Sequence, residues 1–227
     1  MKYTVRETYE KAKQKLNKLV SNAEQDLPEY IWVYSFNEAY AHWIESNFKE
    51  SERNNDKLHK LQHLIVSHSP LLNPVVNSDY DTFRLPDNYL KYISSESFIQ
   101  NCDIPLEHHL WENHNIFTAL KDPMWSPSVE YQETLCTIHS NLMNVYNDKS
   151  FKNDRVLLNY YRQGAKIDIA DGWTHYDGSP TIDIDPEIGD DNLEEVIDLA
   201  VQIIAGNISD AAKWQDQMAH IKQTQYE

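Results

Sequence analysis

Residues 129–163, VEYQETLCTIHSNLMNVYNDKSFKNDRVLLNYYRQ, decide the fold class. From Val129 to Tyr146 and again from Arg155 to Tyr161, β-branched and aromatic residues predominate, and the intervening NDKSFKND is polar and turn-like. The pattern predicts a β-hairpin over 129–163. Two strands alone are marginal in water, so this hairpin must pack on helices or on a neighbouring subunit.

Upstream, apolar residues return at helical spacing. Val5, Tyr9, Ala12, Leu16, Leu19 and Ala23 alternate steps of four and three, an amphipathic helix over 1–25 with Lys11, Lys13, Lys15 and Lys18 mostly off its seam. Asp26 and Pro28 resemble a helix start, followed by Trp32, Phe36, Ala39, Tyr40, Trp43 and Ile44. A third set, Leu58, Leu61, Leu64 and Ile65, ends at the proline-bounded SPLLNPVV. Pro86, Pro105, Pro123 and Pro127 then cut 83–128 into pieces read as short helices and loops, with LPDNYLKYI as a turn or two of helix. Residues 26–128 are therefore expected to be a helical region with proline-rich connections.

Downstream, residues 164–191 hold four of the five glycines and little periodicity, a long acidic loop. Leu193, Val196, Ile197, Ala200, Ile203 and Ile204 start a helix whose first turn is acidic. Gly206-Asn207 caps or bends it, and Ala211, Trp214, Met218 and Ile221 form a further seam within C-terminal helices over 192–227. The expected fold is a single α+β domain over 1–227. It has a mainly helical N-terminal half, a small antiparallel hairpin or sheet in the middle, the long acidic loop and the C-terminal helices.

The 227 residues suffice to bury a sizeable core without disulfides. Cys102 and Cys136 lie too far apart for a CxxC site, and two reduced thiols are expected. The net charge of −16 disfavours nonspecific binding to a phosphate backbone. It is unevenly spread: 0 over 1–60, −5 over 61–120, −2 over 121–180 and −9 over 181–227. No apolar run is long enough for a membrane span, and MKYTVRETYEKAKQKL has no apolar signal core, so no membrane association and synthesis in the cytoplasm are expected.

Catalytic signatures are sparse. His59 and His63 stand i, i+4 on an expected helix, a spacing able to share a metal, but no HExxH is present. EHHLWENH offers His108, His109, Glu112 and His114, of which the adjacent pair 108 and 109 point to different sides of a helix. Asp183, Asp185, Glu187 and Glu194 match positions one, three, five and twelve of a calcium loop, yet Ile188 stands where the sharp turn needs Gly and Pro186 restricts the winding. There is neither a GxSxG elbow nor a glycine-rich phosphate loop. No catalytic residue, metal ligand or cofactor is expected. Six Trp and 14 Tyr suit a core or a protein interface better than a sugar-binding platform.

The order of FNEAYAHWI, LHKLQHL, FRLPDNYLKYIS, VLLNYYRQGAKIDI, a DG-containing loop and IDIDPEIGDDNLEEVIDLAVQIIAGNISDAAKWQDQ resembles virion structural proteins of tailed bacteriophages. The likeness runs from about residue 30 to 218 and is closest to head-to-tail connector ring proteins of crAss-like phages. Gly164 stands where a proline is common in that pattern, and the loop before Leu193 is unusually acidic. The resemblance implies a non-enzymatic subunit of the virion neck or tail, repeated as a homo-oligomeric ring, a dodecamer matching a twelvefold portal. Its partners would be copies of itself, the portal protein and other ring or tail proteins, with DNA passing through the channel without specific binding.

A ring subunit needs exposed seams for its neighbours. Val5, Tyr9, Leu16 and Leu19 at one end, and Trp214, Met218 and Ile221 at the other, are the expected interface residues. Asp183, Asp185, Asp190 and Asp191 are expected to face the channel, or to meet the lysines of residues 11–18 on a neighbouring protomer. The alternatives are a metal-dependent hydrolase built on His59, His63 and the 108–114 cluster, and an acidic DNA mimic that blocks a host protein.

Overall fold

The computed structural model describes residues 3–19, 27–51, 56–99, 104–149, 151–175 and 177–224, and at 19, 51, 56 and 208–224 the backbone alone. The chain divides into two compact units, residues 1–63 with 164–227, and residues 64–163.

The first unit is helical. Helix α1 (Val5–Leu19) opens on TVRE, a capping box in which Glu7 accepts from the Thr4 backbone N–H at 2.8 Å and the Glu7 N–H donates to Thr4 Oγ1 at 3.3 Å. Pro28 directly precedes α2 (Glu29–Ser51), and its carbonyl accepts from Ile31 and Trp32. Helix α3 (Asp56–Lys60) is a short turn. Residues 164–189 follow as a strap with no strand among its described residues, braced by isolated bridges Asp168 to Ile184 and Thr174 to Pro180. Helix α5 (Asp190–Thr224) then runs 35 residues without interruption at Gly206-Asn207, whose breaking tendency the helix overrides. Both α1 and α2 pack on α5, burying Val5, Tyr9, Ala12 and Leu16 of α1, Trp32, Phe36 and Trp43 of α2, and Leu193, Val196, Ile197 and Ala200 of α5.

The second unit corrects the expected fold class. In place of one small hairpin it is an eight-stranded mixed sheet, and the stretch 83–128, read as short helices and loops, holds two full strands, Tyr89–Ile99 and Pro105–Leu110. Its strands are β1 (Ile65–Leu71), β2 (Val75–Val76), β3 (Tyr80–Arg84), β4 (Tyr89–Ile99), β5 (Pro105–Leu110), β6 (Glu133–His139), β7 (Leu142–Tyr146) and β8 (Asn153–Arg162). They lie in the order β1-β8-β4-β5-β6-β7-β3-β2, all neighbours antiparallel except β5 and β6. The short helix α4 (Ile116–Ala119) sits in the crossover that this parallel pair requires.

The expected hairpin misreads connectivity in two places. Its first arm is two strands, because Ser140, at φ 51°, turns the chain between β6 and β7. Its second arm, β8, pairs with β1 and β4 and leaves β7 to β3. LPDNYLKYI enters β4 because Tyr89 to Ile99 find a partner along the whole of β8, a tertiary pairing that outweighs local helix spacing.

The sheet is curled. Its two end strands, β1 and β2, are joined by only Leu72, Asn73 and Pro74, so the edges approach within about 14 Å of chain. One apolar cluster, Leu71, Phe83, Leu85, Cys136, Met143, Val145, Val156, Leu158 and Tyr160, fills the concave side. Across the same space Asp81 Oδ2 on β3 accepts from both the backbone N–H (2.9 Å) and the Nδ2 (3.0 Å) of Asn153 at the start of β8. Ser97 of β4 donates in turn to Asn153 Oδ1 at 2.7 Å. A second cluster, Ile116, Ala119, Leu135 and Tyr146, lies where the crossover covers the other face, so β6 is buried on both sides. No helix among the described residues is long and apolar enough to cross a membrane.

Candidate functional site

The acids singled out in the sequence serve within their own chain. Asp183 accepts from the Ala170 backbone N–H at 2.9 Å and pairs with Arg6 at 3.2 Å, and these two contacts hold its carboxyl below the ordinary range. Asp185 accepts from the Val5 backbone N–H at 2.8 Å, supplying a partner to the first turn of α1 from 180 residues away. Glu187 Oε1 takes the Ala165 N–H at 2.7 Å and lies 3.2 Å from the Tyr40 hydroxyl. Glu194 is bonded by Lys11 and Lys15, which lower its carboxyl, and Lys15 also meets Asp198 at 2.6 Å. Each of the four acids that match calcium-loop positions thus has its own protein partner. Lys11 and Lys15 of α1 meet Glu194 and Asp198 of α5 inside one protomer. Asp190 and Asp191 form the acidic first turn of α5.

Of the residues expected at an N-terminal interface, Val5, Tyr9 and Leu16 are 1 %, 8 % and 1 % exposed and are buried within their own chain. The side chains of Leu19, Trp214, Met218 and Ile221 lie outside the described residues, as does Cys102.

The histidines do not converge. His59 Nδ1 lies 2.8 Å from Gln62 Nε2, whereas His63 stacks on Tyr40, its Nε2 2.8 Å from the Tyr40 hydroxyl. In EHHLWENH, strand geometry sends His108 inward and His109 to the other face, where it meets Trp125 edge to face. Burial pushes His108 down to about 3, so its imidazole is neutral at physiological pH, with Nδ1 2.7 Å from Ser95 Oγ. Burial likewise pushes the nearby Cys136 thiol up to about 12, an inert thiol rather than a nucleophile. Among the described residues no three His, Cys, Asp or Glu side chains are grouped to hold a metal ion.

Two places stand out that the sequence did not flag. The strap and α2 enclose a cleft of about 480 Å³, lined by Val33, Tyr34, Asn37, Ile167, Asp168 and His175 among others. Asp168, only 5 % exposed, holds this corner: its Oδ2 accepts from Ile182 N–H and lies 3.0 Å from His175 Nε2, and its Oδ1 accepts from Ile169 N–H. Trp173 packs beside His175 (ring centroids 4.8 Å) and Tyr34 (6.1 Å), which both line the cleft, and beside Tyr30 (6.5 Å). The sequence signal was the spacing of Tyr30 and Tyr34 on the polar face of α2, off its apolar seam.

In the sheet unit, the β5–β6 crossover exposes Phe117 (70 %), Met124 (85 %), Trp125 (42 %) and Tyr131 (74 %). Beyond β7 and β3, the edge strand β2 and its approach expose Leu72, Val75 and Val76. Neither patch contains a nucleophile beside a base, and both have the composition of contact surface. No family model matches the chain, and no curated protein matches it.

Proposed function

We propose that this protein is a non-enzymatic virion structural subunit that assembles into a head-to-tail connector ring around the DNA channel, next to the portal. The motif order from residue 30 to 218 suggests the setting, and one structural observation carries the assembly reading. The sheet unit displays two unlike apolar patches, the crossover with Phe117, Met124, Trp125 and Tyr131, and the β2 edge with Leu72, Val75 and Val76. A ring is built by a heterologous contact, in which one patch of a subunit meets a different patch of the next. Exposed aromatic and methionine side chains in one short crossover are the kind of surface that protein contacts desolvate. An exposed strand edge offers backbone donors and acceptors for the same contact. The chain's charge of −16, repeated around a ring, gives a channel that repels phosphate and lets DNA slide.

The test is the copy number of this protein relative to the portal protein in purified particles, measured by quantitative mass spectrometry. A one-to-one or small-integer ratio is expected. Absence from the particles overturns the reading.

A further inference from the structure

We infer that the cleft between α2 and the strap is a docking site for an arginine-bearing segment of a partner protein. The cleft is amphipathic along its length. Its apolar lining is Val33, Ile167 and Ile184, and its polar lining is Asn37, Lys166, Asp168, His175, Asp177 and Ser179. That mixed lining fits a side chain with an aliphatic stem and a polar head.

The rings decide the charge of the head. Tyr34 is 53 % and Tyr30 47 % exposed, and both lie within 6.5 Å of Trp173, centroid to centroid. Rings presenting open faces beside acids attract a cation, a guanidinium above all, because it stacks flat and still donates sideways. The Trp173 Nε1, buried and without a hydrogen-bond partner among the described residues, leaves that indole held by its ring contacts alone. Glu29, at the start of α2, is pushed up by burial and by Asp171, with Arg6 acting in the opposite sense.

The wider field points the same way. Residues 164–191 carry eight acidic side chains against Lys166, which is exposed at the cleft wall, and Arg6 of α1 pairs with one of them, Asp183. A neutral sugar would gain nothing from that field. The occupant is a basic segment of a different protein, matched to the acids of the strap. The volume of about 480 Å³ admits one long side chain with its flanking backbone.

The inference does not depend on ring formation, since the isolated full-length chain carries the cleft. The experiment follows the indole N–H resonance of Trp173, assigned with Trp173→Phe, while Gly-Arg-Gly, Gly-Glu-Gly or maltotriose is added. A saturable shift with Gly-Arg-Gly is expected. Tyr34→Ala, an exposed position whose loss leaves the helix intact, should weaken it roughly fivefold, the scale of one cation–π contact. Raising salt should weaken it further. No saturable shift with Gly-Arg-Gly, or equal binding of Gly-Glu-Gly, overturns the inference. Saturation by maltotriose without a peptide response also overturns it and makes the cleft a sugar platform.

Discussion

Gly164 shows how one missing methyl group can matter. A Cβ there would fall inside contact distance of Tyr40 Cε1, with Tyr40 Cζ at 3.0 Å and Ile44 Cδ1 at 3.1 Å, and both neighbours belong to a buried helix face that cannot yield cheaply. Tyr40 also engages His63 and Glu187, and Glu187 in turn binds Ala165, so the two points where the chain leaves and re-enters the helical unit are tied to one side chain. Gly164→Ala should cost about 1–3 kcal/mol, the range for overpacking, read as a lower urea midpoint. His108 supplies a second prediction. Its folded pKa of about 3 lies below the ordinary value near 6.5, so between these values the unfolded chain binds more protons and stability falls as pH falls. From pH 7 to 5 the loss should be roughly 2 kcal/mol, measured by urea unfolding, and His108→Gln should flatten that slope.

Among elements, the curled sheet depends on a hydrogen-bonded brace as well as on its apolar filling. Asp81→Ala would strip two donors of Asn153 of their acceptor in a buried setting, at about 2–4 kcal/mol for the pair. Circular dichroism should report loss of strand signal before loss of helix signal on urea titration of that variant. A drop in which both signals fall together at the wild-type midpoint would contradict it. The helices α1, α2 and the start of α5 were legible in the sequence because each buries one face only, and a one-sided helix prints its period. Strands β4 and β8 were not legible as partners, since their pairing joins residues about 60 apart and no local pattern records it. Strand β6 was legible as strand but not as a central one. Leu135 and Cys136 face opposite clusters, but the buried Thr134 and Thr137 interrupt the continuous apolar run by which a strand covered on both faces is recognised. The cleft was invisible for a related reason: Asp168, Trp173 and Tyr34 meet only once the strap is laid on α2, and an irregular strap has no period to read.

For the molecule as a whole, the apolar patches of the sheet unit should govern self-association. Phe117→Glu with Met124→Glu places charge at two exposed positions, so the fold should keep its urea midpoint while, on the proposed connector function, assembly with portal rings drops by tenfold or more, measured by co-sedimentation. Substituting Val5 or Leu16 should do the reverse and lower stability first, because those side chains are buried inside the protomer. The helical unit is assembled from both ends of the chain, with the sheet unit as a continuous insert. On a ribosome that order sets a timetable. Helices α1 and α2 emerge early but cannot bury their seams until α5, beginning at Asp190, has been made, a wait of about ten seconds or more at ordinary elongation rates. The sheet can close in that interval, whereas the helical unit and its cleft wait for α5, so the insert has every chance to fold before the unit that flanks it.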